Sequence, residues 1–268
     1  MIRDITIGQY YPAESVIHRL DPRVKLVGTL TFIISLFLHR SFLMYLVAAV
    51  FLTIVIKASK VPFRFMIKGL KAIMVLLLIT VVFNMFLTPG TPLIRIWKLT
   101  LTVEGVKQAA FMAIRLAFLI VGSSVMTLTT TPNHLTDGME KGLAPLNKLH
   151  VPVHEVSMIM SIALRFIPIL LEETDKIMKA QEARGADFDS GNLIQKAKSL
   201  VPLRVPLFIS AFRRANDLAM AMEARGYRGG EGRTKMKPLI YQKRDRIAYG
   251  VLLGYLAVMI LVGQFAPF

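Results

Sequence analysis

A chain of 268 residues that is 54% apolar, with a mean hydropathy of +0.54, is too hydrophobic for a water-soluble domain of this length, so we predict an integral membrane protein. Its net charge of +16 does not indicate a nucleic-acid partner, because Lys and Arg flank the apolar runs, where they set orientation and meet anionic lipid. The chain has no cysteine, which excludes disulfides, Cys-type zinc sites and thiol nucleophiles.

Five apolar runs predict an all-α, polytopic membrane protein with about five transmembrane helices, at about 25–38, 42–57, 71–88, 107–129 and 246–268. The last three can each cross a hydrocarbon core, which takes roughly 20 residues of helix. The first two are shorter, and we expect them to form a tight hairpin through residues 39–41. A re-entrant pair is the alternative.

Orientation follows from the distribution of cations. The connector after the second run is basic and has no acid; it contains Lys57, Lys60, Arg64, Lys68 and Lys71. Because Lys and Arg accumulate in cytoplasmic loops, this connector is predicted to be cytoplasmic. The N-terminus is then cytoplasmic as well, and the C-terminus is extracellular.

Residues 131–245 form a separate region between the N-terminal helices (1–130) and the last predicted span (246–268). This region carries most of the charged residues of both signs, yet parts of it are apolar. Such a segment is too charged to lie in the membrane throughout and too apolar for a soluble loop. It is predicted to form long amphipathic helices at the cytoplasmic membrane surface.

An internal repeat stands within this region. The six residues Ala180–Gly185 match Ala221–Gly226 at five of six positions, with an offset of 41 residues. Ala, Glu and Arg favour helix, and Gly ends one, so each copy is predicted to close a helix whose preceding face is mainly apolar or small. An Arg and a Gly at a helix end can be simple capping, but capping does not require the other residues to match.

Further segments carry a resemblance to a known family. They are Ser15–Lys25, Thr131-Pro132, Leu143–Leu146, Arg165–Pro168 and Phe212–Ala215, together with the two Ala-Arg-Gly helix ends. Over nearly its whole length the chain resembles the transmembrane T component of energy-coupling factor (ECF) transporters. These are ATP-powered importers of vitamins and metals in bacteria and archaea, located in the prokaryotic cell membrane.

The resemblance implies partners and site residues. Ala183-Arg184-Gly185 and Ala224-Arg225-Gly226 would each dock into a groove on one of two ABC-type ATPase subunits, which form a homo- or heterodimer. The helices that carry them would cross each other beneath a substrate-binding S component. An Arg fork that pairs with a carboxylate in a desolvated groove fits this role. The chain itself would be a non-catalytic subunit that contacts membrane lipid, with no cofactor, metal or nucleic acid.

Other patterns predict less. No G-x-x-x-x-G-K-[S/T] phosphate loop occurs, so ATP hydrolysis is expected in the partners. His150 and His154 have metal-ligand spacing, but Pro152 between them disfavours a shared helix turn. Arg115, inside a span, is a functional candidate that could pair with Asn84 or with a partner subunit, or could snorkel. A membrane scaffold without transport, and a membrane-embedded lipid-processing enzyme, are the alternative functions.

Overall fold

The computed structural model describes residues 10–38, 41–96, 99–149, 151–186, 188, 192, 200–229 and 238–265. The described helices are α1 (Pro22–Leu38), α2 (Phe42–Ser59), α3 (Phe63–Leu87), α4 (Val103–Thr129), α5 (Pro132–Leu143), α6 (Val153–Glu182), α7 (Val201–Ala224) and α8 (Lys243–Phe265). A 3₁₀ helix, Ala144–Leu149, joins α5 to α6. The predicted all-α, polytopic class is confirmed.

One element was not predicted. An antiparallel hairpin of β1 (Pro92–Ile96) and β2 (Leu99–Thr102) connects α3 to α4, with Ile96 opposite Leu99. Thr102 ends it and caps α4, because its hydroxyl oxygen accepts a hydrogen bond from the Gly105 N–H at 3.0 Å. The same hydroxyl donates to the Thr88 carbonyl at 2.8 Å, which ties the start of α4 to the end of α3.

Length and composition identify four described helices that can cross a membrane: α2, α4, α6 and residues Lys243–Gln264 of α8. Three of them fall on predicted spans, although residues 39–40 of the predicted turn and 266–268 of the last span lie outside the described residues. α1 has 17 residues, and Ile73–Leu87 in α3 is a shorter apolar stretch. α6 was not predicted as a span. Its candidacy reflects the apolar run 153–171, which only three charged or titratable side chains interrupt.

The chain divides into two compact units, and the larger comprises residues 8–142 and 239–268. Its buried core is formed by α1, α2, α4 and α8 together with Met66 of α3, and it includes Phe32, Leu36, Ala48 and Tyr255. Ala48 is fully buried. Because lipid supplies no hydrophobic drive between helices, close packing over small residues and ring contacts holds such a bundle together.

A buried polar network joins the starts of α1 and α8. One carboxylate oxygen of Asp245 accepts from the Asp21 N–H at 2.9 Å, and the other accepts from the Gln242 N–H at 2.7 Å. Asp21 in turn caps α1 and accepts two side-chain hydrogen bonds from Arg23. Burial alone would raise the pKa of the Asp21 carboxyl, but its bonds to Arg23 outweigh this and hold the pKa below its ordinary value.

Arg115 has a different neighbour from the one considered in the sequence. Its Nε donates to the Tyr45 hydroxyl at 3.0 Å, and its guanidinium lies 5.3 Å from the centre of the Phe37 ring. Asn84 instead donates to the Thr80 carbonyl one turn earlier in α3, at 2.8 Å. The Arg115 cation of α4 therefore lies among aromatic side chains, Tyr45 and Phe37, which can stabilise its charge.

Candidate docking site at two helix ends

The first copy of the repeat closes α6 with a left-handed glycine. The Gly185 N–H donates to the Glu182 carbonyl at 2.9 Å, and the Ala186 N–H donates to the Gln181 carbonyl at 3.0 Å. Gly185 has φ +90°. These two bonds, one spanning five residues and one spanning three, define a Schellman motif.

The second copy closes α7 in the same way. The Gly226 N–H donates to the Glu223 carbonyl at 2.9 Å, and the Tyr227 N–H donates to the Met222 carbonyl at 3.0 Å. Gly226 has φ +72°. Each donor and acceptor lies 41 residues after its counterpart in α6, so the repeated sequence produces a repeated backbone geometry.

The six predicted site residues are all exposed: Ala183, Arg184, Gly185, Ala224, Arg225 and Gly226. A Cβ built on either glycine would meet no atom within 4 Å. Within the described part of the chain, neither motif arginine has a hydrogen-bond or ion-pair partner for its guanidinium. As far as the described residues show, each helix end presents a fork-shaped cation that has no partner there, beside a small Ala and a Gly, with room for another protein to approach closely.

The smaller unit, which includes residues 143–238, also holds the contact between these two helices. Here α6 packs against α7, and Arg214 donates to Glu173 at 3.1 Å. The two residues are 41 positions apart, so they occupy equivalent places in the repeat. Each lies eleven residues before its motif arginine, so each helix end extends ~16 Å beyond the contact at ~1.5 Å per residue.

This ion pair was missed from the sequence. The signal that could have found it is the repeat offset, because aligning the two copies places Glu173 and Arg214 at the same position with opposite charge. Residues that contact each other from equivalent repeat positions need opposite charges, because identical charges there would repel.

Both helices also expose apolar side chains in the halves that precede the contact. On α7 they recur at steps of four, three and four residues, at Val201, Val205, Phe208 and Phe212. On α6 they include Val156, Ile159, Met160 and Ile167. Such stripes mark surfaces that face lipid or another protein.

Among the described residues, no group of three or more His, Cys, Asp or Glu is placed to hold a metal ion. His150, which was considered as a ligand, lies outside the described residues. His154 lies in the first turn of α6.

Comparison with known proteins agrees with the helical architecture. Residues 13–236 match the family model described as cobalt transport protein, CbiQ. The chain is 59% identical over 264 residues to the energy-coupling factor transporter transmembrane protein EcfT of Clostridium kluyveri, covering 97% of each chain. It is 53% identical to the EcfT of Thermosediminibacter oceani, over 98% of this chain and 99% of that one. It is 48% identical to the EcfT of Bacillus subtilis, over 91% and 93%.

Proposed function

The chain belongs to the family of energy-coupling factor transporter transmembrane proteins, and from that premise we propose that it is the coupling subunit of an ATP-driven importer of vitamins or other micronutrients. It links two cytoplasmic ABC-type ATPase subunits to a membrane S component that binds the substrate. It is itself non-catalytic, and ATP hydrolysis belongs to the ATPase subunits.

The observation that carries this proposal is the pair of matched helix ends. Two ATPase subunits need two equivalent footholds, and the chain offers two exposed Ala-Arg-Gly ends with the same backbone hydrogen bonds. Each arginine can form a bidentate pair with a carboxylate in a groove on one ATPase subunit. The Gly at each end lets the groove wall approach the helix backbone.

The α6–α7 contact supports the mechanical part of the proposal. The contact joins equivalent positions of the two helices, so the helix segments between the contact and the two motifs have equal length. When the ATPase dimer closes, the two helix ends move relative to each other about this contact. The exposed apolar stripes on α6 and α7 form a surface for the S component and for lipid, and the orientation of this surface changes when the two helices move about their contact.

The proposed topology keeps residues 131–245 on the cytoplasmic side, with the N-terminus cytoplasmic and the C-terminus extracellular. The basic connector between α2 and α3 supports it. In this arrangement α6, although apolar enough to span, lies along the membrane surface, because its second half carries six acidic and basic residues and ends in the first docking motif.

The test reverses both motif charges. We expect Arg184→Glu with Arg225→Glu to remove co-purification of the ATPase subunits and to abolish substrate uptake. Stranding a buried carboxylate opposite a new carboxylate costs at least about 3 kcal/mol per site, which is more than 100-fold in affinity. The measurements are pull-down of the ATPases and uptake of the vitamin or metal in cells.

The matched control reverses two exposed cations outside the motifs, Lys176→Glu in α6 and Arg213→Glu in α7. This double variant has the same change in net charge and is expected to keep ATPase binding. Retained ATPase binding in the motif variant would refute docking at these ends. Retained binding without uptake in the unmodified complex would point to a scaffold instead of a transporter.

A further inference from the structure

A cavity of about 340 Å³ lies in the larger unit, between α1, α2, α4 and α8. Its walls are almost entirely apolar and include Val24, Phe51, Val125 and Leu252. It plays no part in the helix-end site, which belongs to the smaller unit.

The cavity lies near one membrane surface. Its lining comes from the beginnings of α1 and α8 and from the ends of α2 and α4, so all four helices meet the same surface there. From Arg244 to Leu252 the wall of α8 runs eight residues, or ~12 Å of helix. That is most of the depth of one leaflet, whose hydrocarbon is ~15 Å thick when the whole core is ~30 Å.

Two cations stand at the mouth of this apolar space, Lys25 and Arg244. The Lys25 ammonium donates to the carbonyls of His18, at 3.2 Å, and Thr129, at 2.8 Å. An ammonium has three N–H donors, so one remains for a further acceptor. Both of these hydrogen bonds go to neutral carbonyls, and the carboxylate that attracts the ammonium, Asp21, is already paired with Arg23.

Arg244 has fewer hydrogen-bond partners than Lys25 among the described residues. Its Nε is buried and has no hydrogen-bond partner among the described residues. The nearby carboxylates are engaged elsewhere: Asp21 is paired with Arg23, and Asp245 accepts from two backbone N–H groups. A buried donor without an acceptor is unfavourable, so an anionic acceptor at this point would be bound strongly.

We propose that the cavity binds an anionic phospholipid. One acyl chain fills the apolar space, and the phosphate accepts hydrogen bonds from the Arg244 guanidinium and from the third N–H of Lys25. The chemistry of the cavity favours this ligand. The guanidinium and the ammonium are suited to a phosphate, and the apolar wall is suited to the acyl chain of the same lipid. The inference is independent of ATPase docking, since the two sites lie in different units.

The consequence is a lipid that bridges α1 and α8 at the point where both helices begin. A ligand that binds only the folded state stabilises it in proportion to its occupancy. We therefore expect added phosphatidylglycerol to raise the melting temperature of the purified chain, and phosphatidylcholine of the same acyl chains to raise it less.

The direct test is native mass spectrometry of the full chain in detergent, titrated with phosphatidylglycerol or phosphatidylcholine. The wild-type chain should retain one phosphatidylglycerol, with at least a tenfold preference over phosphatidylcholine. Arg244→Gln should lower that affinity at least tenfold, and it breaks no described side-chain hydrogen bond. Arg246→Gln is the matched control: it is exposed, does not line the cavity, and should bind lipid as the wild type does.

A second variant tests the acyl-chain part. Ala248 lines the cavity, and Ala248→Phe should fill it and reduce phosphatidylglycerol retention at least tenfold while the lipid-free melting temperature stays near that of the wild type. Glycerol phosphate, the headgroup without chains, should not bind at comparable concentration.

Four outcomes would overturn the proposal. They are equal retention of the two lipids, undiminished binding by Arg244→Gln, undiminished binding by Ala248→Phe, and equal binding of glycerol phosphate. A fifth is that the wild-type chain retains no lipid while a photo-cross-linker at position 251, which lines the cavity, captures a membrane protein. The groove would then be a protein contact.

Discussion

Gly185 and Gly226 end their helices in the left-handed region, with φ of +90° and +72°. An L side chain there is strained whatever the free space, because its Cβ crowds the backbone. The glycines are thus needed for the shape of the helix end, and the shape directs the preceding arginine. Capping and the docking that we propose therefore use the same backbone geometry, and the first does not exclude the second.

At the residue scale we predict that Gly226→Val weakens ATPase co-purification more than Gly226→Asn does. Asn tolerates positive φ, whereas a β-branched residue does not, and the strain is about 1–2 kcal/mol. The readout is the amount of ATPase retained by the purified chain, beside its melting temperature.

Gly142→Val serves as the control for Gly226→Val, because a Cβ at Gly142 also meets open space but the backbone has no positive φ. It should leave ATPase binding unchanged. Equal loss in the Val and Asn variants of Gly226 would show that bulk, and not backbone conformation, governs the site.

At the scale of elements, the described part of the α6–α7 contact includes an ion pair at equivalent repeat positions. The side chains of Arg214 and Glu173 are 38% and 25% exposed, so solvent screens much of their attraction. Their value is positional: an opposite-charge pair disfavours a shift of one helix along the other, because any slip separates the charges.

We predict that Glu173→Arg lowers the melting temperature, since it places two cations together, and that adding Arg214→Glu restores most of the loss. The expected coupling energy from the double-mutant cycle is about 0.5–1 kcal/mol, and it should shrink at high salt. Failure of the exchanged pair to recover stability would mean that packing, not charge, sets the contact.

At the scale of the whole molecule, close helix approach determines how the larger unit packs. A Cβ on Gly122 of α4 would lie 2.6 Å from Cε1 of Phe32 in α1. The Phe32 ring cannot give way easily, because it is buried and contacts the rings of Phe51 and Tyr255. The packing of these aromatic rings from α1, α2 and α8 against α4 therefore requires that residue 122 has no side chain.

We therefore expect Gly122→Ala to destabilise the purified chain by about 1–3 kcal/mol, through overpacking. Gly254→Ala, in α8, is the control, because its Cβ would meet nothing within 4 Å. Thermal unfolding in detergent measures both. Equal stability of the two variants would contradict the close approach of α1 and α4.

Sequence patterns predicted several features well. Apolar runs identified helices, because spanning segments must satisfy their backbone internally and show it in composition. The repeat identified both site motifs and the places where α6 and α7 end. Boundaries were less certain: α6 carries an apolar first half and a charged second half, so composition alone supports both a span and a surface helix for the same segment.

The sequence by itself determined the class, the family and the six residues of the two helix ends, since composition, a repeat and local capping need no long-range information. Tertiary structure alone decided which residues meet: Glu173 with Arg214, Asp245 with Asp21, Arg115 with Tyr45, and two cations at one apolar cavity. The reason is physical, because hydropathy and capping act over one or two helical turns. A contact between residues up to 224 positions apart depends on how whole helices pack.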